Sequence, residues 1–388
     1  MQHSTDRILT THAGSLPRPK SLIALHTAKY AGQTVSEAEM TQAVEEATRA
    51  IIAKQIEAGL DIVNNGEVGR ESFFTYVQHR MTGFGGSGSR PIMADLSRYP
   101  GSLERRRQAM NTAERVDLLQ APKAIDQVSY VNANPIEQEC RQLQELLAET
   151  AGEFSQAFVS APSPGIIAAA MQNEYYDDLE SYIKALAEAL RTEYAAIAAA
   201  GFLLQIDAPD LALERHTLFQ DKPLAEFLEF VRMVVTAINK ALTGIPREQV
   251  RLHVCWGNYE GPHDCDVPLE DIWPDVSQIK AGAVMLSMAN PRHAHEYRLF
   301  EDPAFLGDRL LIPGVIDTTT NYVEHPQTVA DRLERVAKAV GDPRRIIAGT
   351  DCGFETAAGS KMVIEEVVWA KLRSLAEGAA IASKRLLG

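Results

Sequence analysis

The chain is poor in cysteine, with four in 388 residues: Cys140, Cys255, Cys265 and Cys352. That is too sparse for a disulfide scaffold. It predicts a reducing compartment, where a cysteine is a buried filler or a metal or catalytic ligand. Long apolar runs are also lacking. No stretch approaches the roughly 20 apolar residues that cross a bilayer, and the polar residues 1–7 do not read as a secretory signal. Basic residues are in deficit: 38 Lys and Arg face 52 Asp and Glu, a formal charge of −14. An acidic surface repels phosphate backbones and anionic headgroups, which argues against nucleic acid or a membrane as partner. No low-complexity tract or solenoid repeat is found. These absences leave the expectation of a cytoplasmic enzyme that acts on small molecules.

Short apolar runs are present, and they alternate with longer helical patterns. Eight runs read as strands: 7–11, 60–64, 155–160, 202–206, 250–254, 283–286, 310–316 and 345–348. Continuous apolar strands separated by helices indicate a parallel sheet covered by helices. Ser36 and Glu39 form a capping box ahead of an amphipathic run to Glu57. Helical spacing recurs over 177–200, 222–242, 325–340 and 360–386. The pattern predicts one (β/α)8 TIM-type barrel over residues 1–388, with a doubly wound open sheet as the other solution. Residues 83–150 break the rhythm. They open on GFGGSGS, pass the Arg-rich 105–107 and are expected to be an insertion after the second strand, serving as a lid, a homodimer surface or both.

Barrel chemistry sits at the C-terminal ends of the strands. The residues that end the runs include His12 and Ser15, Asn65 and Glu67, Ser163, Asp207, His253 and Cys255, Ser287 and Asn290, Asp317, and Asp351 and Cys352. His253 and Cys255 lie at i and i+2 on one strand and so share a face. Cys352 ends the eighth strand and can converge on them over the mouth. An imidazole and two thiolates suit Zn2+, and a catalytic zinc keeps three protein ligands. Cys140 and Cys265 are set aside as ligands by position. Asp351 and His12 are candidates for the general acid. Asn290–Glu296, reading NPRHAHE, can offer Arg292, His293 or His295 to an anionic substrate.

LHVC at 252–255 with TDCG at 350–353 resembles the zinc motifs of the cobalamin-independent methionine synthase family. THAGSLPRP at 11–19, GLDIVNNGE at 59–67 and QIDAPDL at 205–211 agree. The likeness spans nearly the whole chain and corresponds to the catalytic C-terminal barrel of the full-length synthases. It implies zinc on His253, Cys255 and Cys352, a substrate ammonium group held by Glu67 and Asp207, and a substrate carboxylate held at Ser15. Two departures stand out. Ser287 lies where the synthases carry a glutamate ligand, and Asp207-Ala208-Pro209 replaces Asp-Glu-Pro.

The implied reaction is S-alkylation of a small thiol. One reading is methyl transfer to homocysteine or a similar thiol, with a methylated folate among the alkyl donors the resemblance allows. The other is addition of a thiol such as coenzyme M to an epoxide, as in epoxyalkane:coenzyme M transferase. That reading needs cations such as Arg18, Arg70 or Arg292 for the sulfonate.

Overall fold

The computed structural model describes residues 1–111 and 115–388. Eight parallel strands make one sheet: β1 Leu9–Thr10, β2 Ile62–Val63, β3 Gln156–Pro162, β4 Leu203–Asp207, β5 Val250–Val254, β6 Ala283–Ser287, β7 Leu310–Ile316 and β8 Ile347–Thr350. They pair in chain order from β2 to β8, and β8 pairs with β1. The N–H of Asp61 donates to the Thr10 carbonyl at 3.1 Å and draws β1 towards β2. The sheet is thereby a nearly closed (β/α)8 barrel, as the alternating pattern predicts. The first strand is short for a local reason. Thr10 gives both its N–H, at 2.8 Å, and its hydroxyl, at 3.0 Å, to the Asp61 carboxylate rather than extending a ladder.

Side chains alternate along each strand. Outward residues such as Val159, Leu204, Leu252 and Val284 join the large core shared with the helices. Inward residues form a separate apolar plug that includes Ile62, Phe158, Leu203, Met285, Ile312 and Ile347. Above the plug the barrel interior turns polar. Arg251 is fully buried, with its guanidinium carbon 3.6 Å from the Phe158 ring centroid. It donates to Gln205 Oε1 at 2.7 Å, Thr11 Oγ1 at 3.0 Å and the His12 carbonyl at 2.8 Å. Burial pulls its pKa down to about 9. The register places Gln205 opposite Arg251 and Asp207 opposite His253.

The surrounding helices start at side-chain caps, the first of them the predicted Ser36. Ser36 accepts from the Glu39 N–H before Glu37–Glu57, Asp178 from Ser181 before Leu179–Ala199, and His325 from Gln327 before Pro326–Val340. The segment 83–150 divides in two. Its second half contains the helix Asn134–Glu149, which buries Ile136, Cys140, Leu143, Leu146 and Leu147 and packs on Glu37–Glu57 and Leu179–Ala199. That apolar stripe makes it the barrel helix between β2 and β3. The first half holds a small antiparallel pair, Phe84–Gly85 with Lys123–Ala124, and the helices Ala94–Arg98 and Pro100–Asn111. Residues 112–114 of the expected insertion lie outside the described residues.

Arg251→Met keeps much of the volume but strips Gln205, Thr11 and His12 of a buried donor. Each orphaned acceptor costs about 1–3 kcal/mol. We expect a loss of roughly 3 kcal/mol or more, read as a lowered urea midpoint at unchanged slope. A midpoint equal to wild type would show that the interior does not depend on this cation.

Candidate metal centre

The ends of β5 and β8 bring His253, Cys255 and Cys352 together. One ligand atom from each lies within 4.8 Å of the others, and all three residues are buried. The two sulfurs are 3.9 Å apart, too far for a disulfide. Two zinc–sulfur bonds of about 2.3 Å at a tetrahedral angle need sulfurs about 3.8 Å apart. His253 Nδ1 donates to Asp207 Oδ1 at 2.8 Å, which orients the ring; Nε2, 3.3 Å from the Asp351 carbonyl oxygen, is then the nitrogen that could ligate a metal. The donor set therefore fits zinc in identity and spacing. Among the described residues the grouping contains no carboxylate. Ser287, at the end of β6, gives its hydroxyl to the Asp351 carbonyl at 2.9 Å.

The charges within the cluster balance one another. Burial opposes a charge on His253, but Asp207 and Cys255 outweigh it and hold the imidazole up at about 9. The hydrogen bond with Cys352 draws Cys255 down to about 6, while the same contact and burial push the Cys352 thiol up.

Glu67, Asp207 and Ser15 line the same cavity as the three ligands. Glu67 Oε1 accepts from Ser160 Oγ at 2.7 Å, whereas Oε2 is buried and unbonded. Burial raises the Glu67 pKa to about 7, and the nearby Asp207 adds to the shift. Asp207 has a task the sequence reading did not assign, since its Oδ1 holds both His253 and Gln205 Nε2, the latter at 2.7 Å.

Other expected residues stand elsewhere. His12 is buried beside Phe158 with both ring nitrogens engaged: Nε2 with Gln55 Oε1 at 2.8 Å and Nδ1 with the Gly14 N–H at 3.2 Å. Burial lowers its pKa to about 3, so the ring is neutral. Asp351 accepts backbone N–H groups from Met288, Ala289 and Asn290 at 2.7–2.9 Å. It staples the loop after β6 to β8 and does not line the main cavity. Burial raises the Asp351 pKa to about 7, and its side chain lines a smaller pocket together with Cys352. Arg292 is exposed and is not among the residues lining the cavity. His293 stacks on Trp256 and bonds Asp266 and Glu296. Arg18 donates to the carbonyls of Glu355, Glu67 and Arg70, and Arg70 to that of Ser160. These two arginines brace the loop that carries Glu67 and are already paired with carboxylates, Arg18 with Glu355 and Arg70 with Glu139.

Comparison with known proteins follows the geometry. The family model for the cobalamin-independent synthase catalytic domain matches residues 8–157 and 158–374. The chain belongs to this family. It is an enzyme of the methionine-synthase type. It is 26% identical over 380 residues to the methionine synthase of Thermococcus kodakarensis, covering 97% of this chain and 94% of that one. The Pyrococcus furiosus methionine synthase is 26% identical over 374 residues, covering 95% and 90%. Among solved structures, a B12-independent methionine synthase from Shewanella sp. W3-18-1, in complex with selenomethionine, shares the fold at a TM-score of 0.74. It is 22% identical and covers 98% of this chain and 99% of that one. Among the described residues, no helix is long and apolar enough to cross a membrane.

Asp207→Asn keeps a hydrogen-bonding side chain beside His253 but removes the charge. We expect zinc affinity to fall roughly 10–100-fold, and Cys352→Ala to abolish stoichiometric binding. Competition with a chromophoric chelator measures both. Full affinity in both variants would place the metal elsewhere.

Proposed function

We propose that the protein is a zinc-dependent S-methyltransferase acting on homocysteine or a similar amino-bearing thiol, with a methylated folate as the donor class that the family resemblance implies. Zinc bound by His253, Cys255 and Cys352 would keep the substrate sulfur as a thiolate at neutral pH. The chain's own residues then bind and orient. Glu67 Oε2 is a buried carboxylate oxygen without a partner in the cavity of the three ligands, and this observation carries the reading. An unpaired buried acceptor is costly, and a substrate ammonium group supplies the missing donors. Asp207 adds a second negative charge on the same cavity wall. Ser15, beside Gly353 in the same lining, would take the substrate carboxylate. Fixing both ends of an amino acid directs its sulfur, and such positioning can supply roughly 7–11 kcal/mol of the barrier.

Transfer of coenzyme M to an epoxide fits less well. Coenzyme M has no ammonium group to meet Glu67 and Asp207; of the cations, Arg18, Arg70 and Arg292 lie outside the cavity lining, while Arg90, Arg106 and Arg115 lie within it.

Cobalt substitution tests the reading. Homocysteine added to the Co(II) protein should produce a new thiolate-to-cobalt charge-transfer band, and coenzyme M and glutathione should not. A spectrum that no thiol alters would sink thiol activation, and a response to coenzyme M alone would favour the epoxide reaction.

The ammonium contact has its own pH signature. Methionine lacks a titrating thiol, so its binding reports on the carboxylates. Below about 7 Glu67 is neutral and the ammonium loses its partner; above it the pair forms. Methionine affinity of the zinc-loaded protein should therefore rise as pH increases through about 7. Glu67→Gln should flatten that rise and weaken binding roughly 10–100-fold at pH 8, because a charged hydrogen bond contributes about 1.5–3 kcal/mol. An unchanged pH profile in the variant would remove Glu67 from substrate binding.

A further inference from the structure

Three segments at the barrel mouth meet on one carboxylate. Asp266, whose side chain is buried, lies in the loop after β5. Its Oδ2 accepts from His263 Nδ1 of the same loop at 2.9 Å and from His293 Nε2 of the loop after β6 at 2.8 Å. Its Oδ1 faces His216 Nδ1 at 3.3 Å, in the turn Glu214–His216 after β4. A fourth segment is tied in through the helix Ala94–Arg98. Asp95 Oδ2 accepts from the Tyr259 hydroxyl at 2.6 Å and from the His263 N–H at 2.9 Å. Tyr259 stacks on His263, with centroids 4.2 Å apart, and lines the metal cavity. Its ring has a made-to-measure seat, since a Cβ at Gly261 would lie 2.3 Å from it.

The partners fix the charge of two of the rings. His263 meets the Asp266 carboxylate through Nδ1 and the Tyr259 carbonyl, at 3.0 Å, through Nε2. His293 meets Glu296 Oε2, at 2.9 Å, through Nδ1 and Asp266 through Nε2. All of these partners accept, so each ring donates from both nitrogens, which only an imidazolium does. Burial opposes the charge on His293, but the bonds to Asp266 and Glu296 outweigh it and hold the ring at about 9. At His263 burial is likewise outweighed by Asp266, and the pKa is raised. His216 differs. Tyr259 gives its proton to Asp95, so its oxygen, 3.4 Å from His216 Nε2, accepts. That tautomer leaves Nδ1 bare opposite Asp266 Oδ1, and neither atom is hydrogen-bonded. The other charges against the cluster are Glu214, near His216 and paired with Arg90, and Arg106, 5.3 Å from the Tyr259 ring centroid. Two imidazolium ions thus hold together a cluster in which two buried acceptors face each other unpaired, a costly arrangement without them.

We propose that Asp266 and its histidines form a clasp that positions Tyr259 and the helix Ala94–Arg98 at the metal cavity, and that the clasp holds only while His263 and His293 are protonated. Asp266 is a positioning residue. It acts on the cavity through Tyr259 and, among the described residues, bonds none of the three metal ligands. The clasp is therefore independent of which thiol or donor the cavity takes. Both charges are present at neutral pH. They are lost as pH rises through about 9, and Asp266 and Glu296 then lose their donors.

Amide hydrogen exchange on the zinc-loaded full-length protein, read by mass spectrometry and corrected for intrinsic base catalysis, tests the clasp. In wild type, protection over residues 94–98 and 257–266 should fall at least about tenfold as pH rises through about 9, while β4 and β5 keep theirs. In Asp266→Asn the same segments should already be at the low level at neutral pH and show no step. Ring C–H resonances give a second reading: the one missing in His293→Gln should titrate near 9 in wild type and well below that in Asp266→Asn. Undiminished protection in wild type above about 9, or wild-type protection in Asp266→Asn at neutral pH, would overturn the clasp. So would a His293 resonance that titrates in the ordinary histidine range. If Asp266→Asn loses protection in β4 and β5 as well, it has unfolded, and the wild-type step and the wild-type His293 titration decide.

Discussion

The site depends on a chain of buried hydrogen bonds that climbs the barrel interior from Arg251 through Gln205 and Asp207 to His253. Strand register makes the chain possible. Gln205 and Asp207 sit two apart on β4, Arg251 and His253 two apart on β5, and the pairs face each other inside the barrel. A guanidinium buried over Phe158 is expensive to desolvate. It persists because Gln205, Thr11 and the His12 carbonyl take its protons. Gln205 then presents its amide N–H to Asp207, which fixes the carboxylate that fixes His253. Loss of Arg251 would disturb metal binding two residues away without touching a ligand.

A second constraint holds Glu67. Its backbone is left-handed, with φ of +58°, which is unfavourable for a residue with a side chain. The surroundings over-determine it. Arg18 donates to its carbonyl, Asn65 accepts from its N–H at 3.0 Å, and Ser160 takes one carboxylate oxygen. Gly14 completes the fit, because a Cβ there would lie 2.3 Å from Glu67 Oε1. Strain held at one carboxylate whose other oxygen is unbonded is the arrangement found at ligand-binding positions.

The barrel and the metal cluster were legible in the sequence because both follow from periodicity. Apolar runs gave the strands to within about two residues, and the i, i+2 spacing of His253 and Cys255 put both on one face. His12 and Asp351 stand apart from the three ligands because parity fails at irregular strand ends. β1 has only two residues, and the chain beyond it turns so that His12 packs inwards against Phe158. The β8 register shifts between Gly349 and Thr350; Cys352 then joins the cavity lining while Asp351 turns to the loop after β6. Gly314 makes room for that carboxylate, since a Cβ there would lie 2.2 Å from Asp351 Oδ1. The uses of Asp207 and Arg18 rest on contacts between residues 46 and 49 positions apart, and no local pattern announces those. The helix Asn134–Glu149 was absorbed into the insertion, although its apolar spacing was readable.

The replacement of a glutamate ligand by Ser287 is consistent with the rest of the site. Two thiolates already match the charge of a dication, and the neutral Ser287 adds no third negative charge. Glu67 and Asp207 provide negative charge one step out, where it can meet a cation on the substrate instead of the metal. The segment 90–119 sets positive charge and apolar surface on the other wall.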